Sequence, residues 1–218
     1  TVYEADNEWY TPSANALSAD EAAEVGARYI WDGFGDSIDG KFVSLFYSHH
    51  PSGTRAYWCG MVADSADAFA NDRSLYWFTV CAISGEGIDI GQFLVGDRES
   101  SLEIRELMMQ GVISQEPVID DTQLELSAKI ASEYAQRHFS NSTVVSVELQ
   151  RATPNAIDRD SDGNVFVTDY FLTFSITDST GREAEVSILM ESEQLGWIMT
   201  QHNDIIPGYN YDAPGGIG

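Results

Sequence analysis

The sequence predicts an α+β protein built from two helix-on-antiparallel-sheet units. Three observations indicate this fold class: two stretches with helical periodicity, several strand-like runs after each of them, and an extended segment that separates the two halves. A chain of 218 residues is long enough for two such small domains. The predicted organisation is a first unit at 15–92, a linker with a short helix at 93–122, a second unit at 123–204 and a flexible tail at 205–218.

The first unit opens with a helix signal. Ser18 and Glu21 have the S-x-x-E spacing of a capping box, in which each side chain accepts a hydrogen bond from the other residue's backbone N–H. Apolar residues then recur at helical spacing as far as Phe34, and Gly33 and Gly35 favour a stop there. The strand-like runs that follow are rich in aromatic and β-branched residues. They span 42–49, 55–63 and 75–83.

The second unit repeats this order of elements. Helical periodicity spans 123–139, with Ile130 and Tyr134 on the apolar face, and a shorter helix is predicted at 100–109. The strands predicted after it are 143–151, 165–177, 182–191 and 195–201. The middle two alternate strictly between apolar and polar residues. Such alternation predicts a sheet with one solvated face and one covered face, most simply covered by the preceding helix.

The charge of the chain excludes some classes of partner. Asp and Glu number 35 against 11 Lys and Arg, which gives a formal charge of -24, while 43% of the residues are hydrophobic. The chain is therefore globular and is not expected to bind nucleic acid or anionic lipid surfaces, because both require basic side chains. No apolar run is long enough for a transmembrane segment. The acidic composition and the polar start at Thr1, without Met, predict an extracellular or cell-envelope location, secreted or lipid-anchored.

Parts of both halves resemble known families. The run LYWFTVCAISGEGIDI at 75–90 resembles the closing hairpin of PepSY-like domains, which often reads aromatic-x-Val-x-Asp-Ala-x-x-Gly-Glu, although Cys81 stands where that pattern has Asp. This resemblance covers roughly 18–90. The second half is similar to the cystatin-like or NTF2-like arrangement of a helix across a curved antiparallel sheet, but the cystatin signature Gln-x-Val-x-Gly is absent. These resemblances imply a binding, inhibitory or regulatory role.

One acidic segment has the pattern of a calcium-binding loop. Asp158, Asp160, Asp162 and Asn164 place oxygen atoms at alternate positions, and Gly163 permits the turn that would wrap them around a hard cation. No helix is predicted on either side, so a paired helix–loop–helix sensor is excluded. The alternative interpretation is an acidic hairpin tip with solvated carboxylates. A bound calcium ion would stiffen this loop.

The two cysteines allow two interpretations. Cys59 and Cys81 fall on neighbouring predicted strands, and one register of that hairpin places them directly opposite each other, where they could form a disulfide. Alternatively, both are small buried residues that stay reduced. Their spacing fits no metal site.

No catalytic residue and no organic cofactor are predicted. The sequence lacks a Gly-x-Ser-x-Gly elbow, a His-Glu-x-x-His pair, a phosphate-binding glycine loop and a dinucleotide fingerprint. The aromatic residues that crowd the first half alternate along their strands, so some rings must lie on the outer face of the sheet. There they either form a recognition surface or are covered by the second unit.

The predicted function is therefore a non-catalytic binding, sensing or regulatory protein. Its expected partner is a protein, peptide or glycan ligand at the cell envelope. Two alternatives remain at this stage. One is a cell-wall or carbohydrate hydrolase that uses Asp and Glu, and the other is a structural domain of a larger surface protein.

Overall fold

The structure, a computed structural model, describes residues 1–4, 11–49, 56–93, 98–113, 119–139 and 142–201. The predicted tail at 205–218 lies outside these residues. The chain forms two compact units, one built around residues 1–93 and the other around 94–200. The short helix predicted between the two halves belongs to the second unit.

The described part of the first unit contains five strands and two helices. In chain order they are β1 (Val2–Glu4), α1 (Ala19–Phe34), β2 (Phe42–His49), β3 (Ala56–Ala63), α2 (Ala66–Ala70), β4 (Ser74–Cys81) and β5 (Gly87–Gln92). β1 runs parallel to β2, whereas β2 to β5 pair in succession as an antiparallel meander. The predicted helix and the three predicted strands of this unit are confirmed, within one or two residues at their ends.

Helix α1 begins and ends where the sequence predicts. The Ser18 hydroxyl accepts a hydrogen bond from the Glu21 N–H, and the Glu21 carboxylate accepts one from the Ser18 N–H at 2.8 Å, so the capping box is confirmed. Gly35 ends the helix at a φ of 75° and donates its N–H to the Trp31 carbonyl. The buried residues of α1 are small or apolar and recur at helical spacing: Ala22, Ala23, Gly26 and Ile30.

The ring of Phe78 joins α1 to the sheet. A Cβ atom at Gly26 on the helix would lie 2.4–2.6 Å from atoms of this ring, and one at Gly60 on β3 would lie 2.1–2.6 Å from them. The ring of Tyr29 occupies the space over Gly87 in the same way. Glycine is needed at these positions because the aromatic rings fill the volume that a side chain would take.

The second unit contains, in its described part, two helices and four strands. They are α3 (Arg98–Met109), α4 (Asp121–His138), β6 (Val144–Arg159), β7 (Val165–Asp178), β8 (Glu183–Leu189) and β9 (Gln194–Gln201). The predicted order of elements in this half is confirmed, although β6 runs eight residues further than the predicted strand. None of the helices in the described part of the chain is both long and apolar enough to cross a membrane.

Strand β6 pairs with β7 in an interrupted register. The antiparallel pairing shifts four times: β6 has one extra residue at Val145, Gln150 and Asn155, and β7 has one at Thr168. Each extra residue is a β-bulge, which bends the strand and increases its local twist. The bulges on β6 are five residues apart, so they divide the 16-residue strand into short regular stretches.

The core of the second unit follows the predicted alternation of β7 and β8. The apolar residues on one face of these strands are buried and pair across the ladder, but Thr173 and Ser187 on the predicted solvated face are buried as well, so that face is not solvated there. The buried apolar residues are Leu172, Phe174, Ile176, Ala184, Val186 and Ile188. Helix α4 packs on this face and buries Ala131 and Ala135, and Phe139 at its C-cap is buried as well. The prediction that the helix covers the apolar side of the strands that follow it is confirmed for β7 and β8.

The prediction of two separate helix-on-antiparallel-sheet units is wrong. The strands lie in one nine-stranded mixed sheet with the order β1-β2-β3-β4-β5-β9-β8-β7-β6, and β1 is parallel to β2. Hydrophobic alternation predicts which face of a strand is buried. It does not predict which strands pair, because every strand edge presents the same backbone N–H and C=O groups.

Candidate functional site

The face of the first unit's strands that points away from α1 is the candidate functional surface. Phe78 and Gly60 face the helix. Because side chains alternate along a strand, the residues next to them on β4 and β3 point to the opposite side. We call this side the outer face. It comprises, from β2 to β5, Ser44, Phe46, Tyr57, Cys59, Met61, Trp77, Thr79, Asp89 and Gly91.

Large apolar side chains on the outer face are partly exposed. Phe46 and Met61 each expose 37% of their surface, and Trp77 and Tyr57 are half-buried. In the second unit, by contrast, the strand face turned away from α4 carries polar pairs, such as Arg151 with Glu185 at 3.8 Å. That face of the second unit also carries the apolar pair Phe171 and Leu189, so the two units differ in degree.

The ring of Trp77 lies over Gly91 on the outer face. Its register partner on β5 is Gly91. A Cβ atom at Gly91 would lie 2.4–2.5 Å from the ring atoms Cε2, Cζ2 and Nε1 of Trp77. The near-equal distances mean that the ring covers the position of the missing side chain, an arrangement in which an aromatic residue shields a strand glycine. A side chain at position 91 would therefore displace the ring.

One charged side chain lies on the described outer face. Phe46, Cys59, Thr79 and Asp89 pair in succession across β2 to β5 and form one row. Asp89 is the diagonal neighbour of Trp77, and such neighbours are about 7–8 Å apart. The described outer face therefore carries one carboxylate among neutral, partly apolar side chains.

The two cysteines are free and do not lie opposite each other. Cys59 pairs with Thr79 and Cys81 pairs with Tyr57, so the register differs by two residues from the one that would bring the thiols together. The hairpin register is set next to its loop, where the pairing shifts between Val62 and Ala63. The register agrees with the alternative in which both cysteines stay reduced, and the strand pattern alone could not decide this because it does not reveal a bulge beside the loop.

Cys59 has the environment of an unreactive thiol. Burial raises its pKa to about 11, the carboxylate of Asp89 acts in the same direction, and a hydrogen bond from the Thr79 hydroxyl opposes both. Since the thiolate is the nucleophilic form, this environment argues against catalysis by Cys59. Cys81 is buried, and its sulfur accepts a hydrogen bond from the Ser84 N–H at 3.5 Å.

We expect neither cysteine to be alkylated rapidly in the folded protein. For Cys59, a rise in pKa from 9.0 to about 11 lowers the thiolate fraction near neutral pH roughly a hundredfold, and burial adds a steric barrier. Iodoacetamide labelling at pH 8, counted by intact-mass spectrometry, should therefore be at least about a hundredfold slower in buffer than in concentrated urea. Rapid labelling of one thiol in the folded protein would contradict this assignment.

The predicted calcium loop forms the turn between β6 and β7. Asp160 accepts hydrogen bonds from the N–H of Asp162 at 2.9 Å and from the N–H of Asn164 at 2.8 Å, and its second oxygen accepts one from the Asn164 side-chain amide at 2.9 Å. These hydrogen bonds lower the pKa of Asp160, and the one from the Asn164 side chain has the largest effect. Asp158 accepts from the neighbouring Arg159 N–H. The described residues contain no group of three His, Cys, Asp or Glu side chains placed to share a metal ion.

Calcium binding to this loop stays a prediction, and it would require Asp160 to exchange its internal partners for the ion. If the site exists, titration of chelator-treated protein with calcium should release or absorb heat and raise the melting temperature at about 1 mM calcium. Both effects should be lost in Asp160→Asn. Absence of heat and of any change in melting temperature would remove the assignment.

Two buried carboxylates in the second unit are both occupied by internal donors. Asp169 accepts hydrogen bonds from the Asn155 side chain at 3.0 Å and from the Glu191 N–H at 3.0 Å. Asp178, at the end of β7, is fully buried and paired with Arg182 at 2.8 Å. They lie nine residues apart on one strand, a separation of about 30 Å at the usual rise per residue. They therefore cannot act as a catalytic pair.

The network around Asp178 was not predicted. Its carboxylate accepts from the hydroxyls of Ser142 and Thr180, from the Thr180 N–H, and from the N–H and side chain of Arg182. Burial pushes the pKa of Asp178 upward, but the hydrogen bonds from Ser142, Thr180 and Arg182 outweigh it and hold the pKa well below its usual range. The one sequence signal was an Asp at the first position of a turn. At that position the Asp side chain commonly accepts a hydrogen bond from the backbone N–H of the residue two positions later.

Comparison of this chain with known protein families, curated proteins and solved structures finds no match. The PepSY-like and cystatin-like or NTF2-like resemblances accordingly stay predictions from the sequence. Function must be inferred from the site.

Proposed function

We propose that this chain is a non-catalytic, extracytoplasmic binding protein whose binding surface is the outer face of its first unit. The observation that carries the proposal is the set of partly exposed large side chains on that face. Contiguous exposed apolar surface on a globular protein often marks an interaction site.

The position of these side chains supports a binding role. Phe46, Met61 and Trp77 lie on neighbouring strands β2, β3 and β4, and they face the same side. Strands hold side chains more rigidly than loops do, so the groups are arranged before a ligand arrives. A surface that loses little conformational freedom on binding needs fewer contacts for the same affinity.

The chemistry of the described titratable groups supports a role without catalysis. A catalytic acid or nucleophile must be able to contact the substrate, and its pKa must suit the proton transfer or the attack. Asp169 and Asp178 accept hydrogen bonds from internal donors, and the thiol of Cys59 is held in its neutral form. These features disfavour the alternative of a hydrolase that uses paired carboxylates.

Binding to envelope material tests the proposal. The chain is incubated with a purified cell-envelope fraction of the organism that encodes it and then sedimented, and the bound share is compared with that of a variant carrying Phe46→Ser, Met61→Ser and Trp77→Ser. We expect the wild-type chain to sediment and the variant to lose at least about tenfold in affinity, because three central apolar contacts are removed.

A matched control removes the same number of exposed apolar side chains elsewhere. Trp31, Leu102 and Met109 are each more than half exposed and lie on α1 and α3. Their replacement by serine should leave sedimentation unchanged, provided that both variants keep their circular dichroism spectra. Equal sedimentation of the outer-face variant and the wild-type chain, or release of soluble fragments from the envelope fraction by the wild-type chain, would refute the proposal.

A further inference from the structure

We infer that the peptide bond between Asp39 and Gly40 is a site of spontaneous isoaspartate formation in the folded protein. An Asp followed by Gly is prone to this reaction, because glycine has no side chain to hinder attack on the carboxyl group. The chain contains three such pairs, Asp32-Gly33, Asp39-Gly40 and Asp162-Gly163. The structure distinguishes them by their hydrogen bonds, and the reaction is fastest at Asp39-Gly40. This modification site is independent of the proposed function.

The reaction is an intramolecular rearrangement that needs no co-reactant other than water. The backbone nitrogen of Gly40 attacks Cγ of Asp39, a new N–Cγ bond forms, and the carboxyl hydroxyl leaves as water together with the amide proton. Water then opens the resulting succinimide ring. If the bond between the nitrogen and the main-chain carbonyl carbon of Asp39 breaks, the chain continues through Cγ as isoaspartate, whereas cleavage of the new bond restores aspartate. Nothing is oxidised or reduced, and the water lost in the first step is regained in the second.

Asp39 and Gly40 occupy the two central positions of an exposed β-turn. The Lys41 N–H donates to the Ile38 carbonyl at 3.0 Å, the φ of Gly40 is 77° and that of Asp39 is negative, as in a type II turn. The N–H of the third residue takes no part in the hydrogen bond that closes such a turn. Among the described residues, neither the Gly40 N–H nor the Asp39 carboxylate has a hydrogen-bond partner. Both reacting groups are therefore available.

The backbone at this turn can also rearrange with little loss. Ring closure requires a rotation about the Cα–C bond of Asp39, which brings the Gly40 nitrogen close to Cγ. This rotation breaks the turn hydrogen bond between Lys41 and Ile38. A Cβ atom at Gly40 would have no atom within 4 Å apart from those of the adjacent residues, so the peptide group has space to move. Opening one exposed hydrogen bond is a local event that does not require the sheet to unfold.

The same dipeptide is held more firmly at its two other positions. Asp32-Gly33 lies inside α1, where the same rotation would break successive helical hydrogen bonds. At Asp162-Gly163 the glycine N–H donates to the Asp160 carbonyl at 3.0 Å. The Asp160 carboxylate also accepts from the N–H groups on both sides of this glycine, those of Asp162 at 2.9 Å and Asn164 at 2.8 Å. Because Asp162 is exposed as Asp39 is, hydrogen bonding and not exposure distinguishes the two turns.

Incubation in water enriched in heavy oxygen tests the inference. The folded protein is kept below its melting temperature at neutral pH for several weeks, digested with trypsin in ordinary water and sequenced by electron-transfer mass spectrometry. Each passage through the succinimide inserts one heavy oxygen at the reacting residue, and the backbone fragments distinguish isoaspartate from aspartate. We expect both signals at Asp39 to rise at least about fivefold faster than at Asp32 and Asp162, where protecting hydrogen bonds must open first.

Two controls assign the difference to the fold. In concentrated guanidinium chloride all three pairs lose their hydrogen bonds, so their rates should agree within about threefold. Asp39→Glu keeps the charge but would require a larger ring that forms more slowly. This variant should show no heavy oxygen at position 39 and unchanged amounts at Asp32 and Asp162.

The outcomes are distinct from those that test the proposed function. Faster reaction at Asp39 in the folded protein, with similar rates at all three pairs in the unfolded chain, supports the inference. Reaction at Asp39 that is no faster than at Asp32 or Asp162 in the folded protein overturns it. An equal lead of Asp39 in the unfolded chain also overturns it, since local sequence would then be the cause. Neither failure affects the binding proposal, because Asp39 is not part of the outer face.

Discussion

Replacing Asp178 by alanine is expected to lower the free energy of unfolding by about 3 kcal/mol, since one partner of a buried ion pair is removed and several donors lose their acceptor. The side chain is fully buried, whereas that of Arg182 is 31% exposed, so water can partly replace the lost contact on the arginine side only. The hydroxyl of Ser142 and the turn amides at Thr180 and Arg182 would be left without this acceptor. Urea unfolding followed by circular dichroism measures the change as a lower midpoint at constant slope.

Two further variants identify the cause. Ser142→Ala removes one donor and should cost about 1 kcal/mol, a third or less of the effect of Asp178→Ala. Glu183→Gln changes an exposed carboxylate next to Arg182 and should alter the free energy of unfolding by less than about 0.5 kcal/mol. If Asp178→Ala were as mild as Glu183→Gln, the network would not stabilise the β7–β8 turn.

The contribution of Asp178 should also depend on pH. Its pKa is held below the usual range in the folded protein, so folding is favoured by the ionised form. The stabilisation is fully present above the unfolded pKa of about 3.9 and is lost as the pH falls below that value towards the folded pKa. The difference in unfolding free energy between the wild-type chain and Asp178→Asn should therefore be constant from pH 7 to about pH 5 and shrink towards pH 2. A difference that stayed constant down to pH 2 would contradict the assignment.

Gly26→Ala is expected to destabilise the protein by about 2 kcal/mol, although alanine favours helices by up to about 1 kcal/mol over glycine. The new Cβ would lie 2.4–2.6 Å from the ring of Phe78, which is 1% exposed and also rests on Gly60. The ring therefore cannot move away without a shift of α1 or β3. Thermal and urea unfolding would both report this loss.

A double-mutant cycle gives the control for Gly26→Ala. Phe78→Leu alone should be destabilising because it leaves a cavity, but it also frees the space over residue 26. The combined variant should then be more stable than the sum of the single effects by at least about 1 kcal/mol. Additive effects would show that the ring and the helix glycine do not compete for the same space.

Local elements were well predicted because their signals are local. The capping box of Ser18 and Glu21 defines a helix start through contacts within four residues, and the alternation in β7 and β8 defines a buried face through the residues of those strands themselves. The single nine-stranded sheet was not predictable in this way. Which strand edges pair depends on contacts between residues far apart in sequence, and the three-residue strand β1 has no pattern long enough to detect.

The candidate site was predictable in part. Alternation in Tyr76-Trp77-Phe78 required that rings point to both sides of β4, and the structure places Phe78 against α1 and Trp77 on the outer face. The role of Gly91 could not be recognised, because its register opposite Trp77 depends on the length of the turn between β4 and β5 and on a register shift beside it. The same dependence on register explains why the sequence left open whether Cys59 lies opposite Cys81.

The bulged strand β6 has a consequence for solubility. As the last strand in the sheet order, it has β7 as its neighbour on one side and presents a second row of backbone donors and acceptors on the other. A regular edge of that length could pair with strands of other molecules through its backbone hydrogen bonds, which would lead to aggregation. The extra residues at Val145, Gln150 and Asn155 break the even spacing of these groups, and Pro154 lacks a donor altogether. An incoming strand would find no stretch longer than about four residues with which to form a continuous ladder, so the bulges disfavour the pairing of other molecules along this edge.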